Sequence, residues 1–289
     1  MNHEVTATDP AAVVVPVQRA EGDAQSERGP SGPLSWGVLT WVLEHGGVAT
    51  AYQPIIDVKR ERIVGWEALL RAQHPDIGAI SPVALVEAAE RHGLLDLLTR
   101  RIIEDARSTM VTVRALVRDP LKIHLNLELS QLREAEPLLE WLAELDWPAD
   151  IEVVAEITER GADQWLPRYE AGATILTNGQ VSLAIDDCGS GSSRLSFISS
   201  RAWEVVKIDR QLLIDHDERR IVVLRHLVQL LSALNAISVA EGIETIEQLR
   251  LVRELGFDEA QGYLLGMPVP GPTMLASLAR QGLALDLAE

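Results

Sequence analysis

The chain has 289 residues, 47% of them hydrophobic and 24% charged, enough for one large globular domain or two small ones. Its formal net charge of −17 argues against binding a DNA or RNA polymer, or an anionic membrane, through a broad basic face. The single cysteine, Cys188, excludes an internal disulfide and favours a reducing, cytoplasmic compartment. No window approaches the roughly 18 uninterrupted apolar residues of a spanning helix, so we expect no membrane segment.

The N-terminal stretch, residues 1–34, is rich in alanine, glycine, serine, proline and charge. This composition predicts a disordered tail. Acidic rather than basic residues precede its short apolar patch, which proline interrupts, so the stretch does not match a secretory signal. No comparable linker recurs over residues 35–289, where we expect one folded domain.

Short β-branched runs alternate with longer amphipathic stretches along that domain. Strands are predicted over 48–56, 63–70, 122–127, 151–157, 181–186, 205–209, 237–240 and 259–264. Helices are predicted over 82–93, with Ser81 as N-cap, and over 95–118, 130–145, 163–172, 216–235, 245–256 and 271–282. The alternation indicates a parallel sheet, either an α/β barrel or a doubly wound sheet, and periodicity alone leaves both open. Two strands before any helix would be an irregular opening for a barrel.

Polar residues follow or end most of these apolar runs, where packing gives no reason for them. The series is Glu67, Asn126, Glu156, Asp186, Asp187, Lys207, Asp209, Glu241 and Gln261. Any one of them has an ordinary structural explanation, such as capping the next helix or closing a turn. In a parallel barrel, however, the carboxyl ends of the strands converge on one mouth, so a shared site explains the whole series better.

Carboxylates with an amide oxygen form a hard-oxygen site suited to Mg²⁺ or Mn²⁺, and no cysteine–histidine ligand pattern for zinc occurs in the sequence. Adjacent carboxylates such as Asp186 and Asp187 can bridge two ions about 4 Å apart, the arrangement of two-metal phosphoester hydrolysis. A nearby lysine could orient the attacking water or neutralise developing charge. The residues therefore indicate a metal-dependent phosphoester hydrolase.

At the level of motifs, the chain from about residue 36 to 282 resembles the EAL domain family, bacterial phosphodiesterases that linearise cyclic di-GMP. The matching strings, in order, are YQPII (52–56), GWEALLR (65–71), HLNLELS (124–130), EITE (156–159), DDCGSGSS (186–193), VKID (206–209), VAEGIET (239–245) and QGYLLGMPVP (261–270). The resemblance implies a TIM-type (β/α)8 barrel with one antiparallel strand near its start. It also implies hydrolysis of cyclic di-GMP to linear 5′-pGpG with two Mg²⁺ or Mn²⁺ ions.

The resemblance also implies a role for each site residue. Glu67, Asn126, Glu156 and Asp186 would hold the first ion, and Asp186, Asp187 and Glu241 the second. Lys207 would position or deprotonate the attacking water, so that Lys207, Glu241 and Asp187 form the catalytic group. Arg71 would meet a substrate phosphate, Gln53 would touch guanine, Gln261 would be another active-site contact, and Glu159 would anchor the loop after Asp187.

Several positions depart from the family pattern. The family loop usually reads DDFGTGYSS, whereas this chain has Cys188, Ser190 and Ser192 at the positions of Phe, Thr and Tyr, and Met267 where arginine is usual. Losing two aromatic rings predicts a looser loop. By analogy with the family we expect a homodimer. An active phosphodiesterase, a non-catalytic cyclic di-GMP receptor and an interaction protein with an EAL fold remain as alternatives.

Overall fold

The computed structural model describes residues 34–133, 137–158, 167–189, 195–214 and 218–285. Most of the predicted tail (residues 1–33) and the predicted loop residues Glu159, Ser190 and Ser192 lie outside these ranges. None of the helices in the described part of the chain combines the length and hydrophobicity that a bilayer crossing needs.

Ten strands form one sheet, and eight of them close into a barrel. Their bounds are β1 (Val48–Asp57), β2 (Arg62–His74), β3 (Gly78–Ile80), β4 (Leu121–Leu127), β5 (Ile151–Thr158), β6 (Ser182–Cys188), β7 (Val205–Ile208), β8 (Ile237–Ala240), β9 (Glu259–Ala260) and β10 (Val269–Pro270). Strands β2 and β4 to β9 run parallel to one another, while β1 closes the barrel between β2 and β9 and is antiparallel to both. The TIM-type barrel with one antiparallel strand near its start is confirmed.

The helices pack around this barrel. They are α1 (Trp36–Glu44), α2 (Pro82–Arg91), α3 (Leu95–Leu116), α4 (Pro137–Glu144), α5 (Pro167–Asn178), α6 (Leu195–Ile198), α7 (Gln211–Ile214), α8 (Glu218–Ala233), α9 (Ile246–Leu255) and α10 (Gly271–Gln281). A short 3₁₀ helix covers Leu129–Leu132. Helix α9 ends at Gly256, which adopts the left-handed conformation (φ 84°) that favours a residue without Cβ.

Along each strand, side chains point alternately to the inside of the barrel and to the helices around it. On β4, Ile123 and Leu125 join the main core between barrel and helices, whereas His124 and Asn126 point to the inside of the barrel. Small and branched residues fill that inside from several strands, namely Ile55, Val154, Ala184, Val205 and Val239. The polar series therefore lies above a layer of apolar side chains, at the end of the barrel where the parallel strands finish.

Two strand boundaries predicted from the sequence were wrong, and the structure shows why in each case. The strand predicted over 259–264 ends at Ala260, because Leu265 and Gly266 both donate to the Gly262 carbonyl and close a turn. Strand β2 runs on to His74 and pairs with β3, so Glu67 lies in mid-strand. The predicted start of α2 is confirmed, with Ser81 at the N-cap position, although the Ser81 side chain makes no capping hydrogen bond.

Candidate active site

Parallel pairing brings the polar series to one mouth of the barrel. Glu67 lies opposite His124, Asn126 lies opposite Glu156, and the strand that carries Asp186 follows β5 directly. Further along the barrel, Lys207 lies on β7, and Glu241 and Gln261 directly follow β8 and β9. Hydrogen bonds and ion pairs join these side chains to one another, so the structure assembles them into one cluster.

Lys207 is at the centre of this cluster and is almost completely buried, with 1% of its surface exposed. Its Nζ lies 2.8 Å from Glu241 Oε1, 2.9 Å from Glu156 Oε2, 3.0 Å from Asp186 Oδ1 and 3.2 Å from Glu67 Oε2. A buried ammonium group is tolerated only when opposite charges surround it. We call Lys207 with these four carboxylates the carboxylate cage.

The surroundings inside the cage shift the pKa of Lys207, Glu67, Glu156 and Glu241. Burial opposes the charge of Lys207, but the surrounding carboxylates, Asp186 foremost, raise its pKa well above the usual value. Burial raises the pKa of Glu156 and that of Glu241 well above the usual range. Burial acts the same way on Glu67, yet the Lys207 ammonium and hydrogen bonds from Asn126 and Gln261 lower its pKa to about 2. One ammonium group thus faces more carboxyl groups than it can neutralise.

The two adjacent aspartates point to the same side, which a regular strand would not allow. Asp187 has a left-handed backbone (φ 55°), unusual for a residue with a side chain, and the β6–β7 pairing shifts register here. As a result, Asp186, Asp187 and Glu241 each offer an oxygen, and these oxygens lie within 4.8 Å of one another. This all-oxygen donor set fits a hard divalent cation.

Three side-chain amides complete the interior of the site. Gln261 donates through Nε2 to Glu67 Oε2 (2.8 Å) and to Gln53 Oε1 (3.0 Å), while Gln53 donates to the Gly266 carbonyl (3.1 Å). Asn126 donates to Glu67 Oε1 (2.9 Å), which leaves its carbonyl oxygen for another partner. Gln53, Glu67, Glu241 and Gln261 line an open cavity of about 220 Å³.

Other predicted positions lie apart from this cluster. Arg71 is exposed on β2, four residues beyond Glu67, and donates to the Leu70 carbonyl. Asp209 accepts from the Gln211 amide and closes a turn. Met267 is 52% exposed. Cys188 is buried beside an apolar groove of about 630 Å³, which Leu195, Leu212 and Leu227 also line.

Three residues near the cluster were not predicted from the sequence. Arg210 and Tyr263 line the 220 Å³ cavity, and Arg210 forms an ion pair of 3.1 Å with Glu244 across its rim. His124 lies inside the barrel, and its Nδ1 is 2.7 Å from Glu156 Oε1. The sequence could have predicted the orientation of His124, because it lies two residues before Asn126 on β4 and therefore on the same face of the strand.

Comparison with known proteins connects this geometry to a family. A probable cyclic di-GMP phosphodiesterase of Escherichia coli, PdeN, is 32% identical over 226 residues, 76% of this chain and 43% of its own length. MucR of Pseudomonas aeruginosa, a bifunctional diguanylate cyclase and cyclic di-GMP phosphodiesterase, is 30% identical over 83% of this chain and 36% of its own length. The chain thus spans less than half the length of these relatives.

Solved structures agree with the sequence comparison. The phosphodiesterase of Pseudomonas aeruginosa MucR in complex with c-di-GMP is 29% identical, with a TM-score of 0.71 over 82% of this chain and 98% of that one. Klebsiella pneumoniae BlrP1, in a manganese and cyclic di-GMP complex, is 25% identical with a TM-score of 0.65, over 78% of this chain and 57% of that one. The model of the EAL domain matches residues 39–268, and the chain belongs to the EAL domain family.

Proposed function

We propose that this protein hydrolyses cyclic di-GMP to linear 5′-pGpG with two divalent cations, Mg²⁺ or Mn²⁺, and acts on the second messenger in the cytoplasm. The observation that carries the proposal is the carboxylate cage, in which four carboxylates surround one buried lysine at the barrel mouth. A buried cluster with this excess of negative charge is costly unless cations bind to it. Relatives named as cyclic di-GMP phosphodiesterases support the choice of substrate.

Residues on both sides of the cage would hold the cations. Glu67, Asn126, Glu156 and Asp186 form one donor set, and Asp186 with Asp187 and Glu241 forms the other. Bound there, divalent cations lower the pKa of a coordinated water and attract the phosphodiester oxygens. The Asn126 carbonyl oxygen suits this role because its amide group already donates to Glu67.

Lys207 would orient the attacking water. In the cage, its raised pKa makes it an ammonium group that donates hydrogen bonds. The water oxygen forms a bond to phosphorus, and because 5′-pGpG keeps its phosphate on a 5′ oxygen, the bond from phosphorus to the 3′ oxygen breaks. The water gives up one proton, and the released 3′ oxygen takes one up. Glu241 and Asp187, the more accessible carboxylates, would hold this water.

The remaining groups would bind the nucleotide. Gln261 fixes Glu67 and Gln53 from one amide and so keeps the wall of the cavity in place. Tyr263 is 58% exposed at the cavity and offers a ring face on which a base could stack. Arg71, exposed at the same end of β2, is the proposed phosphate contact.

The test incubates the full chain with cyclic di-GMP and Mg²⁺ or Mn²⁺ and separates the products by nucleotide chromatography. We expect 5′-pGpG from the native chain, none after chelation, and a large loss of turnover in Glu67→Gln. Lys207→Ala should keep nucleotide binding while losing most turnover. Glu254→Gln and Lys59→Ala, at exposed positions away from the cavity, are the matched controls. Cation-dependent binding without product would instead favour a receptor, and no binding would favour an interaction protein.

A further inference from the structure

A fully buried histidine lies beneath the carboxylate cage. His124 is 0% exposed on β4, inside the barrel, and its Nδ1 lies 2.7 Å from Glu156 Oε1. The other oxygen of the same carboxylate, Oε2, accepts from Lys207 at 2.9 Å. Glu156 is therefore held from two sides, by the ammonium group at one oxygen and by the imidazole ring at the other.

Burying a histidine ring at this position costs free energy of folding, and the contact with Glu156 is the interaction that offsets it. His124 Nε2 is buried and has no hydrogen-bond partner among the described residues. Leaving such a group unpaired costs about 1–3 kcal/mol, which an apolar side chain of similar size would avoid. The interior below the cage also holds the ion pair of Lys122 and Glu259 (2.6 Å), but those two charges compensate each other, and its other residues are apolar, including Val154, Ala184 and Val205. Packing alone therefore does not explain a histidine at this position.

We propose that His124 is a positioning residue for Glu156, and that it sets the affinity of the cage for a divalent cation. This rests on the proposed function, in which Glu156 is a ligand. A ligand carboxylate is ionised, so the imidazole nitrogen that faces it carries the hydrogen and donates it. The hydrogen bond fixes the carboxylate plane and leaves Oε2 turned toward the centre of the cage, as partners of metal ligands commonly do.

The test measures Mn²⁺ binding to the full chain by calorimetry and by the electron paramagnetic resonance of the free ion, without nucleotide. His124→Leu fills a similar volume without a donor, and we expect its Kd for Mn²⁺ to rise roughly 10- to 100-fold. His124→Asn places an amide nitrogen on Cγ, where the imidazole carries Nδ1, and should bind within about threefold of the native chain. Circular dichroism and thermal unfolding show that each variant is folded.

A second variant and the measurement on the native chain distinguish the positioning role of His124 from the metal site itself. If His124→Leu does not fold, His124→Gln is measured in its place. The side-chain amide of glutamine lies one methylene farther from the backbone than that of asparagine, so we expect His124→Gln to bind Mn²⁺ more weakly than His124→Asn. Equal Mn²⁺ affinity in the native chain and His124→Leu, or in His124→Asn and His124→Gln, overturns the positioning role while leaving the metal site intact. A native chain that binds no Mn²⁺ overturns the proposed function itself.

Discussion

Replacing Lys207 by methionine removes the only cation from the carboxylate cage while keeping a side chain of similar length. Lys207 is 1% exposed and has a carboxylate oxygen from each of four residues within 3.2 Å. Removing one partner of a buried ion pair costs about 3–5 kcal/mol, because the other charge is left uncompensated. We therefore expect Lys207→Met to lower the free energy of unfolding by about this amount at about pH 8 in the presence of EDTA.

The loss should depend on pH in a defined direction. Burial already raises the pKa of Glu156 and Glu241 well above the usual range, and removing the ammonium group raises both further. A carboxyl group whose folded pKa lies above its unfolded pKa contributes stability at low pH and loses it as the pH rises through the folded pKa. The deficit of Lys207→Met relative to the native chain should therefore shrink as the pH falls from about 8 toward 5, as the two carboxyl groups take up protons.

In the native chain, two other groups titrate outside the window above about pH 5. The depressed pKa of Glu67, about 2 in the native cage, makes a contribution that is lost only as the pH falls toward that value. The raised pKa of Lys207 makes a contribution that is present throughout this range and is lost only at much higher pH. The difference between native and variant chains thus reports the carboxyl groups that the lysine neutralises.

Urea unfolding of both chains, followed by circular dichroism with EDTA or with Mn²⁺, is the assay. Lys59→Met, at an exposed turn, is the control and should change little. Mn²⁺ should stabilise Lys207→Met more than the native chain, because the cation replaces the lost charge. A deficit below about 1 kcal/mol at pH 8, or one that grows as the pH falls, would refute this account of the cage.

Three further predictions test the barrel and the core that support the site. Gly65→Ala would place a Cβ 2.6 Å from the Lys122 carbonyl oxygen, so we expect the free energy of urea unfolding to fall by about 1–3 kcal/mol. Gly37→Ala is the control, because its Cβ would meet only the Ser35 hydroxyl at 4.0 Å, and equal stability of the two variants refutes the clash. Tyr52→Phe removes hydrogen bonds to Asp105 (3.2 Å) and Thr109 (3.0 Å) and should cost about 0.5–1.5 kcal/mol by the same measurement, with Mn²⁺ affinity unchanged. Met110→Ala opens a cavity in the main core and should cost about 2–5 kcal/mol; a smaller loss would mean that α3 collapses onto the barrel.

The site was predictable to the extent that parallel strands align their carboxyl ends. Polar residues after apolar runs, such as Asn126, Glu156 and Lys207, could be assigned to one mouth from the pattern alone, and the structure brings them together. The choice of barrel over doubly wound sheet was not available from periodicity and came from the family resemblance. The roles assigned to these residues remain predictions.

What the pattern could not predict depends on contacts between distant segments. His124 looks like an ordinary strand residue in the sequence, and its partner Glu156 lies 32 residues away. The hairpin of β2 and β3 escaped prediction because only three residues form β3, and its stability comes from packing against α1 and α2. The paired aspartates face one way because of the left-handed backbone at Asp187, which no spacing rule reports.

The charge of the cage links these observations to the acidic composition of the chain. One ammonium group faces four carboxylates within 3.2 Å, with Asp187 beside them, in a protein of net charge −17. An anionic dinucleotide would be repelled by such a site at short range. A bound cation would reverse the local field and would oppose the burial and the carboxylate repulsion that raise the pKa of Glu156 and Glu241. On the proposed function, the same excess of carboxylates that destabilises the cage would give it affinity for divalent cations, and through them for a phosphodiester.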